Sequence, residues 1–304
     1  MTFYLKQTDR RSFLGQAAAS ALALGIPAHL IGCAPADGKA EGDSGAQPAA
    51  AGGEKLDRIG LQLYTVRDMM KANVEDTLAK VAAVGYKEVE FAGYFDRTPQ
   101  ALRATLDKLG LTSPASHIGY DAIAPAKINA TLDAANQLGN KYIIVAYLLD
   151  TQRKTLDDWK RHAEAFNKAG QAAAARDMAF AYHNHDFEFV PLEGRVPYDV
   201  LLESTDPSLV KMEMDLYWIT FAGSDWSTYF NRWPGRFPMV HVKDSAGAPK
   251  HEMRDVGAGS IPFNTIFAQR KKGGIEHFFV EHDNPTDPIA SITTSYQNLS
   301  KLTF

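Results

Sequence analysis

Ala181-Tyr182-His183-Asn184-His185-Asp186-Phe187-Glu188-Phe189, near the middle of the chain, decides how the rest is read. Its approach, Met178 to Tyr182, is apolar enough for a buried strand, and the run then turns at once into two histidines and two acids. Side chains two apart on a strand share a face, so His183 and His185 point the same way. A buried strand whose polar residues gather at its C-terminal end implies a parallel sheet with a site at its mouth.

Outward from this stretch, apolar runs of strand length alternate with longer amphipathic segments. Upstream lie Ile59 to Tyr64, Glu88 to Phe91, Ser113 to Ile118 and Tyr142 to Tyr147; downstream lie Val210 to Asp215, Met239 to Lys243 and His277 to Glu281. The opening stretch is thus the fifth strand of eight. Between them the spacing predicts helices over 74–84, 99–109, 127–138, 156–176, 198–203, 225–233, 261–271 and 289–302, the first three closed by Gly85, Gly110 and Gly139. Eight strand–helix repeats in about 250 residues predict an α/β fold, a (β/α)8 TIM barrel forming a single domain over 55–304. A doubly wound open sheet would need a Gly-rich turn after the first strand, and the sequence has none there.

The chain of 304 residues carries a net charge of −4 with its basic residues scattered, which argues against nucleic acid as a partner. Its single cysteine excludes an intramolecular disulfide. Near the start, Arg10-Arg11 precedes an Ala-rich apolar run from Ala17 to Ile31, too short and too rich in Ala and Gly to span a membrane. It resembles a twin-arginine leader over 1–32, and Leu30-Ile31-Gly32-Cys33 resembles a bacterial lipobox with Cys33 as the lipidated residue. The Ala/Gly/Pro/Ser-rich segment over 33–54 is expected to be a flexible linker. These features imply export, a membrane link through the lipid alone, and a periplasm-facing domain, at the outer membrane in a Gram-negative cell.

Polar residues collect at the predicted strand ends: Gln62, Tyr64, Glu90, His117, His183, His185, Glu213, Asp215, His241, Lys243, Glu281 and Asp283. In a barrel of this kind the site lies at those ends. Converging buried acids and imidazoles need compensation, and one divalent metal ion (Mn, Zn, Co, Fe or Mg) provides it.

As a set, Gly60-Leu61-Gln62-Leu63-Tyr64-Thr65-Val66-Arg67-Asp68, Tyr182 to Phe189, Asp215-Leu216-Tyr217-Trp218, Phe237 to Asp244 and Phe279-Val280-Glu281-His282-Asp283 resemble the xylose isomerase-like barrel superfamily, in its sugar phosphate isomerase/epimerase branch. The resemblance implies a metal held by Glu, Asp, His and Glu on strands five to eight. Asp215, His241 and Glu281 match the last three, and His183 stands where the first Glu is expected, as an imidazole ligand in its place. His185 is the alternative ligand from that strand.

The resemblance further implies a small-molecule sugar or keto-sugar substrate and an isomerase or epimerase that moves a proton next to a carbonyl. His185 or Glu281 would be the base and Lys243 the donor to a developing oxyanion. Gln62, Tyr64, Glu90, His117 and Trp218 would contact the substrate, although Glu90 and Glu213 also suit a supporting role behind the ligands. Epimerases of this superfamily use two metal-bound carboxylates, and His183 removes one. The alternative is therefore a lyase or hydratase acting on 3-keto-sugars or keto-glycosides; a further alternative is a non-catalytic sugar-binding lipoprotein. The Gly-rich stretch Ser245 to Ser260 is expected to cover the site.

Overall fold

The short apolar runs pair in parallel and close on themselves. In the computed structural model, which describes residues 53–304, the barrel strands are β1 (Gly60–Gln62), β2 (Glu88–Phe91), β3 (Thr112–Ile118), β4 (Tyr142–Val145), β5 (Ala179–His183), β6 (Val210–Asp215), β7 (Met239–Val242) and β8 (His277–Val280). Each strand pairs with its sequence neighbour, and β1 closes the ring on β8 through Gly60 opposite Phe279 and Leu61 opposite Val280. The expected leader, Cys33, and the linker up to residue 52 lie outside the described residues. No helix among the described residues is long and apolar enough to cross a membrane.

Strand alternation sorts the side chains into two cores. The outward set packs under the helices in one large cluster. Ala115, Tyr142, Ile144, Ala181, Met239 and Phe279 plug the barrel interior. Gly60 makes room for that plug, because a Cβ there would sit 2.4 Å from the Phe279 ring. One pleat further along their strands the inward residues change character: Gln62, Glu90, His117, His183, Glu213 and His241 form a buried polar layer. A dry plug beneath a polar layer directs the chemistry to one end.

Several elements differ from the expected pattern, among them a short helix Arg67–Ala72 soon after β1. The predicted helix over 261–271 is two pieces, Phe263–Ala268 and Arg270–Gly273, because Gln269 leaves the helical range at φ −98°, ψ 9°. An additional helix, Leu216–Phe221, starts directly after β6. Its run Leu216-Tyr217-Trp218-Ile219 is apolar without helical spacing, and Asp215 starts it by accepting from the backbone N–H groups of Tyr217 and Trp218 at 2.9 Å each. Finally, the stretch after β7 is not a plain loop. Asp244–Ser245 pairs antiparallel with Met253–Arg254.

Candidate metal centre and active site

The ends of β5 to β8 bring His183, Asp215, His241 and Glu281 together, with one ligand atom from each lying within 4.8 Å of the others. All four are buried. Asp215 and His241 are register partners on β6 and β7, and Glu281 follows β8 by one residue. His183 presents Nε2 to Asp215 Oδ2 at 3.3 Å while its Nδ1–H faces the Ala146 carbonyl at 3.3 Å. His241 Nδ1 lies 2.7 Å from Glu281 Oε2. His241 Nδ1 has no other aligned hydrogen-bond partner among the described residues, whereas Glu281 Oε2 is also met by Lys243 Nζ at 2.7 Å. The nitrogen and oxygen atoms of the four residues converge on one buried point at the barrel mouth. Two imidazole nitrogens and two carboxylate oxygens fit a divalent transition metal in number and kind. His185 falls outside this quartet.

Lys243 Nζ sits against the same carboxylates, 2.9 Å from Asp215, 2.7 Å from Glu281 and 3.0 Å from Asp283. The charges sort accordingly. Burial opposes ionisation of Glu281 and Asp215, but Lys243, with the histidines, overcomes it and holds both below the usual carboxylate range. Burial would likewise neutralise His241, yet Glu213 and Glu281 hold it well above the usual imidazole value. A proton and a metal ion therefore compete for its Nδ1. On the β5 side the balance reverses. Burial and then His241 pull His183 down to about 4, and burial with His183 and Lys243 pulls His185 well below its ordinary value. The mouth has an anionic wall and a neutral imidazole wall.

The remaining expected site residues sort by depth. Gln62 and Glu90 are fully buried and meet each other, Gln62 Nε2 donating to Glu90 Oε2 at 2.6 Å. His117 is nearly buried and pairs through Nε2 with Glu213 at 2.7 Å. Tyr64 is half-buried with the Arg67 guanidinium 4.1 Å above its ring. Trp218 is half-buried, and its Nε1–H has no hydrogen-bond partner among the described residues. His185 stacks on Phe187 and meets the Trp218 ring at a tilt, centroids 5.6 Å from each, and its Nδ1 also has no such partner. The stretch after β7 reaches both sides of the site. The His251 carbonyl accepts from Tyr217 Oη at 2.6 Å, and Met253 sulfur accepts from Asp283 N–H at 3.2 Å.

Against protein-family models, residues 78–301 match the xylose isomerase-like TIM barrel. The chain belongs to this family. Among its relatives, the inosose dehydratase of Geobacillus kaustophilus is 25% identical over 56% of this chain and 61% of that protein, so the chain spans about six-tenths of its length. The inosose dehydratase of Clostridium tetani is 33% identical over 60% of this chain and 68% of that protein. A sugar phosphate isomerase/epimerase crystal structure from Parabacteroides distasonis superposes with a TM-score of 0.69 at 28% identity, covering 81% of this chain and 98% of that one. Within this xylose isomerase-like barrel two further residues were not legible as site residues. Buried Glu188 accepts from Tyr182 Oη at 2.6 Å and from His185 N–H at 2.8 Å, so it fixes the backbone that carries His185. Asp244 accepts from four backbone N–H groups of the stretch after β7. Their acidic character in an apolar context was the available signal; their partners depend on the folded loops.

Proposed function

We propose that this protein is a divalent-metal-dependent lyase that removes water from a keto-sugar or an inosose-type cyclic ketone. The asymmetry of the mouth carries this reading: Glu281 and Lys243 stand on one side, and two imidazoles held neutral stand on the other. The relatives named inosose dehydratase support it as well.

His183, Asp215, His241 and Glu281 would hold the metal, which supplies Lewis acidity toward the substrate carbonyl and so acidifies the neighbouring carbon. His185 offers an unpaired Nδ1 to take the proton from that carbon. Burial, then His183 and Lys243, disfavour an imidazolium there. The proton therefore passes readily to the hydroxyl leaving the next carbon. The C–H and C–O bonds break, a C=C bond forms, and one water departs. Lys243 balances negative charge that develops on the carbonyl oxygen. Trp218 and Tyr64 would contact the substrate from the strand ends.

A second reading, a sugar isomerase or epimerase, is favoured by the likeness to the Parabacteroides distasonis structure. Incubation with keto-sugars and cyclic polyol ketones in D2O, followed by mass spectrometry, separates the two. The dehydratase reading expects a product lighter by one water. A product of unchanged composition carrying one deuteron would replace it with the isomerase reading. Asp215→Asn is expected to lower bound metal and activity together, by more than the roughly 10–100-fold typical of changes behind the ligands.

A further inference from the structure

Beneath the metal quartet lies a second ring of four buried groups, Glu90, His117, Glu213 and His241. Its contacts alternate in length. His117 Nε2 to Glu213 is 2.7 Å and His241 Nε2 to Glu90 is 2.8 Å, whereas each imidazole lies 3.3 Å from the other carboxylate. Two discrete hydrogen bonds give such an alternation. A second cation would also have to share Glu90 Oε2 with an N–H that already points at it. Gln62 Nε2 donates to that oxygen at 2.6 Å. The orientation of this amide is settled by its other end, because Gln62 Oε1 accepts from the Tyr64 backbone N–H at 3.0 Å. A backbone N–H can only donate, so the amide must turn its NH2 toward Glu90.

This gives a directed series of bonds: Tyr64 N–H to Gln62 Oε1, Gln62 Nε2–H to Glu90 Oε2, and His241 Nε2–H to the same oxygen. We infer that Gln62 and Glu90 are positioning residues, which hold His241 as the tautomer carrying its proton on Nε2 so that the Nδ1 lone pair faces the metal site. The inference rests on the metal reading of the upper quartet. It gives β1 and β2, which supply no ligand, a part in metal binding. A histidine ligand whose remote N–H is held by a carboxylate is a better ligand and loses less freedom on binding. Glu213 has the same relation to His117.

The test is Zn²⁺ binding to metal-stripped full-length protein by calorimetry, with zinc per chain from elemental analysis. Glu90→Gln keeps an acceptor for His241 and is expected to weaken Zn²⁺ by about 10-fold; Glu90→Leu removes it and should weaken Zn²⁺ by about 100-fold. Gln62→Leu, which frees Glu90 to turn, is expected to fall near Glu90→Gln and serves where Glu90→Leu does not fold. Wild-type affinity in Glu90→Gln and Gln62→Leu, with Asp215→Asn having lost its zinc, would overturn the inference and leave the metal reading standing. Equal losses in Glu90→Gln and Glu90→Leu would reduce Glu90 to a space-filling part and likewise overturn it. Two zinc ions per wild-type chain, one of them surviving Asp215→Asn, would make the lower ring a metal site instead. Absence of zinc from the wild type would remove the metal reading itself.

Discussion

The two oxygens of Asp215 face different tasks, Oδ1 capping the helix Leu216–Phe221 and Oδ2 facing His183 and Lys243. An asparagine would keep the capping oxygen and lose the charge, so Asp215→Asn separates the metal role from the fold. Glu188 offers a complementary case. Burial raises its carboxyl from 4.5 to about 8, against the bonds from Tyr182 and the local backbone. Between those values the folded chain retains a proton that the unfolded chain has lost, so this residue makes stability fall as pH rises. Glu188→Gln is expected to flatten that slope: its melting temperature, compared with wild type between about pH 5 and pH 8, should gain most at the alkaline end. Parallel melting curves at all pH values would remove the assignment. At this scale the sequence was legible wherever strand alternation alone fixes direction, as for His183, Asp215, His241 and Glu281. Gln62 and Glu90 were singled out as site residues, and a supporting role was open to Glu90, but their mutual contact was not legible because it depends on which neighbour across the barrel each one touches.

Among the elements, the excursion after β7 is organised by one side chain. Asp244 Oδ1 accepts from Ser245 and Ile261 at 2.8 and 3.1 Å, and its Oδ2 accepts from Gly257 and Gly259 at 2.9 and 3.0 Å. A Cβ on Gly259 would come within 2.2 Å of that carboxylate, so the backbone can approach only as glycine. Asp244→Ala would leave four N–H groups without this acceptor. A penalty of about 1–3 kcal/mol is expected even if water replaces most of them. Because the same stretch touches Tyr217 and Asp283 beside the site, KM should rise more than kcat falls, and limited proteolysis should cut within 246–258. Unchanged proteolysis would show that the knot does not govern this element. Strands were readable as short apolar runs buried on both faces, and most helices from periodicity, because each buries one continuous face. The helix Leu216–Phe221 was not, since its start depends on a side chain that also serves the site.

At the scale of the molecule, eight strand–helix repeats, with no Gly-rich turn after the first strand, were enough to predict a closed barrel over a doubly wound open sheet. The depth order of the interior was harder to foresee: a dry plug below, a polar relay above it, and the ligands at the rim. It emerges only when the strands are placed in register. The plug is also closely packed. Phe279 fills the space left by Gly60, and Gly60→Ala should cost about 1–3 kcal/mol by overpacking, measurable as a lower denaturant midpoint with an unchanged slope.

The described barrel begins and ends at one place. Glu54 and Phe304 exchange two backbone hydrogen bonds, at 2.9 and 3.0 Å, beside the seam where β1 meets β8. The ring of strands therefore has no privileged first member, and its order in the gene is one of several equivalent cyclic orders. A circular permutant of 54–304, with Phe304 joined to Glu54 by a short Gly-rich linker and new ends at the exposed Pro207–Ser208 turn, is expected to fold and to bind metal like the parent. Circular dichroism and zinc content would check it. A permutant that stays unfolded would mean that the order of synthesis, and not only the closed ring, specifies this barrel.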